Sequence, residues 1–232
     1  MSRGNYVSFR RRRRRRKTFV FFLLLSVLWP KPYQPNATMD LPLPTYAQAQ
    51  KRTNISPFDD LIKKYSQRHG FDWRLIAALI ATESSFNRNA ISKVGAQGLM
   101  QLMPSVQQDQ GIDNAFHPEE NIKAGVAYFR ELLGRVQGRS VEDQISFALA
   151  AYNGGIGHLI DAQSIARKWG KDPYRWSVIK KIFIEMEDQP KVRSMGRYGY
   201  VQGRSVVAYV DKIMYRYQDF RQDLPEVPQI KL

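Results

Sequence analysis

The chain contains no cysteine among its 232 residues. That absence excludes a disulfide framework, a thiolate zinc site and a cysteine nucleophile. It also excludes a lipoprotein anchor, which needs a cysteine to carry the lipid. Histidine is scarce, and His69, His117 and His158 are too dispersed along the chain to suggest a metal site. No metal and no cofactor is therefore expected. No internal repeat is visible, and no segment sustains the apolar–polar alternation of a half-buried strand. The apolar run from Phe19 to Trp29 falls short of the ~20 residues of an ordinary spanning helix.

Acidic residues are the charge in short supply: 21 of them stand against 36 lysines and arginines, a net charge of +15. The excess is uneven. Residues 1–49 carry ten basic residues and only Asp40, or +9, which leaves +6 for the rest of the chain. Arg10 to Arg16 and Lys17 lead into Phe19–Trp29 and then Pro30. A basic stretch followed by a short apolar run is the pattern of an export signal, with the basic flank retained in the cytoplasm. An arginine run can bind nucleic acid, but the apolar stretch directly after it argues against that partner. Ala47-Gln48-Ala49 has the small-x-small form of a cleavage site yet lies far beyond the apolar run, so a cleaved signal and an uncleaved membrane anchor both fit. Residues 31–55 hold Pro32, Pro35, Pro42 and Pro44 among polar residues and read as an extended linker. The expected organisation is a signal or signal-anchor over 1–30, a linker over 31–55 and one domain over 56–224.

The remaining sequence is patterned for helices. Ser56-Pro57-Phe58-Asp59 offers an N-cap serine, a proline at the first helical position and an acid in the first turn. A second helix is expected from Asp72 through Leu75, Ile76, Leu79 and Ile80. A third opens at His117-Pro118-Glu119-Glu120 and buries Ile122, Val126, Phe129 and Leu133. A fourth runs from Ser140 through Ile145, Leu149 and Tyr152 to Gly154-Gly155, and a last carries Val206, Val210, Ile213, Met214 and Tyr217. The fold class is mainly α.

Glu83 follows Leu79 by four residues and Ile76 by seven, so the helical period places it on their apolar face. A carboxyl there is costly to ionise, and its pKa should rise. A raised carboxyl is what a general acid for glycosidic cleavage requires. Downstream, Ile91–Pro104 interleaves Gly95 and Gly98 with Gln97, Gln101, Met100 and Met103. Glycine allows close backbone approach, and glutamine both donates and accepts, as recognition of sugar hydroxyls and acetamides demands.

Glu83-Ser-Ser-Phe-Asn87, Gly95-Ala-Gln-Gly-Leu-Met-Gln-Leu-Met-Pro104 and Ala151-Tyr-Asn-Gly-Gly155 resemble, in order and spacing, the motifs of the soluble lytic transglycosylases, whose catalytic domain is goose-lysozyme-like. The resemblance covers about residues 56–220. Arg197-Tyr-Gly-Tyr-Val-Gln-Gly203 and Gly157-His-Leu-Ile-Asp-Ala162 look more particularly like the catalytic domain of the membrane-bound F type, whose preceding binding-protein-like domain is expected to be absent. The resemblance implies that Glu83 is the single acid and base, and that Tyr152 hydrogen-bonds and orients it. It implies that Ser92, Gln101, Met103, Asn153 and Tyr209 line the groove, with the backbone at Gly98 close to substrate. One position departs: the family usually has a glutamate four residues before the tyrosine of the last helix, and here Ser205 precedes Tyr209.

The activity so implied is cleavage of the β-1,4 bond between N-acetylmuramic acid and N-acetylglucosamine, leaving a 1,6-anhydromuramic end. The implied partner is peptidoglycan, met by a monomer in the periplasm or cell envelope. Two rival readings are a hydrolytic muramidase, which would use a second carboxylate, and an inactive peptidoglycan-binding module. For the first, Asp113, Glu119 and Asp161 are the nearby acids, in helix-start or surface settings that favour structural roles.

Overall fold

A computed structural model describes residues 54–224; the expected signal segment and nearly all of the expected linker lie outside the described residues. The described chain forms α1 (Asp59–Arg68), α2 (Trp73–Glu83), α3 (Pro104–Asp109), α4 (Pro118–Arg135), α5 (Val141–Gly154), α6 (Ile156–Lys168), α7 (Trp176–Asp188), α8 (Pro190–Arg193) and α9 (Gly203–Asp223). Among the described residues the only β pairing is two isolated bridges, Ile91 with Gln97 and Gln97 with Leu102.

α2 is the centre of the packing. Every residue from Trp73 to Ala81 is buried and, apart from Arg74, that run is apolar on all sides, as a helix enclosed by others must be. α1 and α9 pack against it. α9 also lies along α5 and α7, while α4, α5 and α6 follow one another side by side. Asp72 caps α2 by accepting from Arg74 N at 3.0 Å. Its carboxylate also holds the Arg74 guanidinium at 2.6 Å and accepts from the Tyr217 hydroxyl at 3.0 Å. Arg74 donates onward to the Leu224 carbonyl. The last turns of α9 are thereby fixed to the start of α2 by buried charges that satisfy one another.

The first helix begins later than its sequence suggests. Ser56 is not the N-cap, and Phe58 takes that place without a side-chain bond. Asp59 instead folds back, accepting from Ile55 N at 2.7 Å and Ser56 N at 2.9 Å. The serine and acid still satisfy the entry to the helix, but from one turn earlier. The helix starts expected at Asp72, His117 and Ser140 are as read; each of the three is an N-cap, and Ser140 Oγ accepts from Asp143 N at 3.1 Å. Helices α3, α6, α7 and α8 were not expected. α6 and α7 carry helical stripes that were not read, Leu159, Ala162, Ile165 and Ala166 in one and Ile179, Ile182, Phe183 and Met186 in the other, while α3 and α8 are of six and four residues.

Candidate active site

Glu83 is the last residue of α2. The helix stops there because Ser85 and Phe86 take left-handed φ of 51° and 62°, which reverses the chain. Two such residues in succession mark a backbone held by its surroundings rather than by preference. Ser84 supplies part of that hold: its hydroxyl donates to the Leu99 carbonyl at 2.8 Å. The carboxyl of Glu83 therefore sits where a buried helix meets the loop that follows it.

Tyr209 of α9 donates its hydroxyl to Glu83 Oε1 at 2.5 Å. Burial raises the Glu83 pKa from its ordinary value to about 7, against the opposing pull of the Tyr209 hydrogen bond. No second carboxylate contributes to that shift. Tyr152 and Tyr209 are themselves pushed well above the ordinary tyrosine range, by burial first and then by the Glu83 charge. Both hydroxyls thus remain protonated and serve as donors.

The orienting bond expected of Tyr152 is made by Tyr209 instead. Tyr152 lies near enough to feel the charge of Glu83, but its hydroxyl donates to the Met100 carbonyl at 2.7 Å. It ties α5 to the 90–103 loop. Tyr152→Phe should consequently leave the buried Met100 carbonyl without this donor and lower stability by about 1–2 kcal/mol, with specific activity reduced less than by a change at Tyr209. Chemical denaturation alongside turnover checks this. A sharp fall in rate with unchanged stability would return the orienting role to Tyr152.

The 90–103 loop is built on Asn121 of α4, which is fully buried. Asn121 Oδ1 accepts from Met100 N at 2.8 Å, and its Nδ2 donates to the carbonyls of Ala115 at 2.9 Å and Gln97 at 3.1 Å. This residue was missed at the sequence level. Its signal was present, because an asparagine beside Ile122 and four before Gly125 sits at a core position of α4.

Gly98, expected to bring its backbone close to substrate, lies inside that arrangement. It is buried with φ of +78°, and an added Cβ would come within 2.2 Å of the Ala115 carbonyl and 2.3 Å of Asn121 Nδ2. Its N–H donates to the Ala90 carbonyl at 2.9 Å. Gln101 is also turned to the loop: Nε2 donates to the carbonyls of Gly98 at 2.9 Å and Ala90 at 3.0 Å. Ser92 closes the tip, its hydroxyl accepting from Ala96 N at 2.9 Å. Ser92, Gln101 and Tyr209 are partly buried, while Met103, 40 % exposed just before α3, and Asn153, at the end of α5, are the exposed members of the expected groove set. Ser205 is exposed at the start of α9, one turn before Tyr209.

The acids weighed as a second carboxylate are engaged elsewhere or open to solvent. Glu119 accepts from Lys64 at 2.6 Å and Tyr65 at 2.7 Å. Asp161 accepts from two backbone N–H groups, and Asp113 is exposed. The site offers one carboxyl, poised near neutrality, with a tyrosine donor on one oxygen.

This helical frame is the lysozyme-like fold of SLT lytic transglycosylases. It is similar to lytic transglycosylase Slt from Pseudomonas aeruginosa, solved as an inactive mutant (TM-score 0.50, 24% identity, 75% of this chain and 26% of that one). It is also similar to the 70 kDa soluble lytic transglycosylase of Escherichia coli (TM-score 0.52, 21% identity, again 75% and 26%). Residues 60–174 match the transglycosylase SLT domain, and the chain carries a domain of that family. Membrane-bound lytic murein transglycosylase F of Desulfosudis oleivorans is 40% identical over 173 residues, which are 73% of this chain and 37% of that protein. The enzyme of the same name from Marinobacter nauticus is 42% identical over 163 residues, 70% of this chain and 32% of that one. The chain spans about a third of the length of these relatives.

Proposed function

We propose that the protein is a peptidoglycan lytic transglycosylase in which Glu83 serves as the single acid and base. The observation that carries this reading is a lone carboxyl whose pKa is raised to about 7. Such a group is protonated often enough to act as an acid and ionises readily enough to act as a base. The names of the relatives support the substrate class and reaction.

Glu83 first gives its proton to the oxygen bridging N-acetylmuramic acid to N-acetylglucosamine, and the bond from that oxygen to the anomeric carbon breaks. The electron pair leaves with the oxygen, and the neighbouring acetamide steadies the positive charge on the sugar. Glu83, now a carboxylate, removes the proton of the C6 hydroxyl of the same muramic acid. That oxygen closes onto the anomeric carbon, and Glu83 is left protonated for the next cycle. No water is consumed. Tyr209 holds the carboxyl in place and favours its charged form in the second half. The exposed Met103 and Asn153 line the groove in this reading. The term membrane-bound in the relatives' names and the arginine-led apolar segment at residues 10–29 support a location in the cell envelope, with that segment as export signal or anchor.

The pH profile tests the assignment. Turnover needs Glu83 protonated at the outset, so kcat/KM should fall as pH rises through about 7. Tyr209 donates to the carboxylate and so lowers this pKa; Tyr209→Phe should move the alkaline limb to higher pH and reduce the plateau rate by about tenfold. A limb that stays in place would mean that Tyr209 does not act on the titrating acid.

A further inference from the structure

The segment from Asn153 to Gly157 is flanked by α9 and by the loop before it. Val206 of α9 packs on Gly154, and the ring of Tyr198 lies across Gly157, where a Cβ would come within 2.7 Å of the ring. Asn153 is exposed immediately before these two glycines, and its neighbour Tyr152 feels the charge of Glu83. The chain therefore leads within five residues from Tyr152, beside Glu83, to Gly157 under the Tyr198 ring.

The loop carrying Tyr198 is held firmly. Asp161 of α6 is 3 % exposed, and its Oδ2 accepts from Arg197 N and Tyr198 N, each at 2.8 Å. Gly196 crosses so near this carboxylate that a Cβ there would lie 2.5 Å from the same oxygen. Lys168 Nζ donates to the Met195 carbonyl at 3.1 Å. Yet the side chains so fixed are not buried: Tyr198 and Tyr200 are 56 % and 58 % exposed. The edge of His158 meets Tyr198 at 6.4 Å between ring centres, and the Arg193 guanidinium lies 5.3 Å from the Tyr200 ring. The buried carboxylate fixes the loop backbone while two of the loop's aromatic rings stay half in water. A rigid aromatic face beside a groove is suited to a flat, partly apolar ligand.

We propose that Tyr198 is the platform of an additional sugar subsite, on which a pyranose ring of the glycan strand stacks at a distance from the bond being cleaved. A pyranose presents C–H groups on its face and hydroxyls around its rim, so the face meets the ring and the rim remains free for Asn153 and for solvent. This proposal rests on the glycan-cleaving reading above.

The test uses the full chain with Glu83→Gln, so that strands are bound without being consumed. Peptide-free strands of alternating N-acetylglucosamine and N-acetylmuramic acid, in a short and a long set, are titrated by calorimetry. Tyr198→Ala should weaken binding of the long strands by about tenfold and leave the short ones within about twofold. Tyr198→Phe, which keeps the face, should bind both like the parent. Tyr198→Leu covers Gly157 without a flat ring and should repeat the long-strand loss with an unchanged melting temperature, which separates stacking from folding. Equal loss at both lengths, or no loss in either the alanine or leucine variant, overturns the subsite. Failure of the parent to bind either length overturns the glycan reading itself, and the subsite with it.

Discussion

Glu83→Gln is expected to leave a folded protein whose turnover of peptidoglycan falls by at least ~10²-fold, the lower range for loss of a general acid. The amide matches the carboxyl in size and can still accept from Tyr209, but it has no proton to transfer at any working pH. The same substitution should also change how stability depends on pH. In the unfolded chain Glu83 ionises near 4.5 and in the folded protein near 7, so between these values the folded state holds the extra proton and stability declines as pH rises. Above about 7 the whole penalty is present. Glutamine removes it, so the variant should be more stable than the parent by about 1–3 kcal/mol at pH 8 and close to it at pH 4. Denaturant unfolding at the two pH values reads this directly. Activity within a few-fold of the parent would place the acid elsewhere.

Gly98→Ala carries the largest expected loss of stability. The new methyl would have to fit against the Ala115 carbonyl and the Asn121 amide, and neither is the loose end of a flexible side chain. The positive φ at Gly98 adds backbone strain that alanine does not relieve. Displacing Asn121 would in turn release Met100 N and two carbonyls from their only described side-chain partner. Together these should lower stability by about 3 kcal/mol or more and reduce activity in step with the folded fraction. A variant of normal stability that binds glycan poorly would instead return Gly98 to the substrate surface.

The contrast between Glu83 and Gly98 shows what the sequence could disclose. Glu83 was legible because its environment is set locally: its place on an apolar helix follows from the spacing to Ile76 and Leu79, and so does the direction of its pKa. The helix starts at Asp72, His117 and Ser140 were legible for the same reason. Tyr209 was expected at the site but not as the partner of Glu83, because the two are 126 residues apart and spacing does not report which of two tyrosines reaches a given oxygen. Gly98 and Gln101 were read as facing substrate, since glycine and glutamine suit both a tight loop and a sugar. Their loop contacts come from tertiary packing: Asn121, brought under the loop by α4, fills the space at Gly98, and Gln101 bonds the carbonyls of Ala90 and Gly98. Asp161 was weighed as a possible second acid and proves to hold a loop, a role that depends on α6 and on backbone 36 and 37 residues further along.

The central claim is that one carboxyl carries out both proton transfers and that no water enters the product. The most direct measurement is digestion of purified sacculi followed by mass analysis of the released muropeptides. The account predicts products ending in 1,6-anhydromuramic acid, each lighter by one water than the corresponding reducing-end fragment, and none from the Glu83→Gln protein. Reducing-end fragments as the primary product would contradict it, since a water activated by a second group would then have completed the reaction.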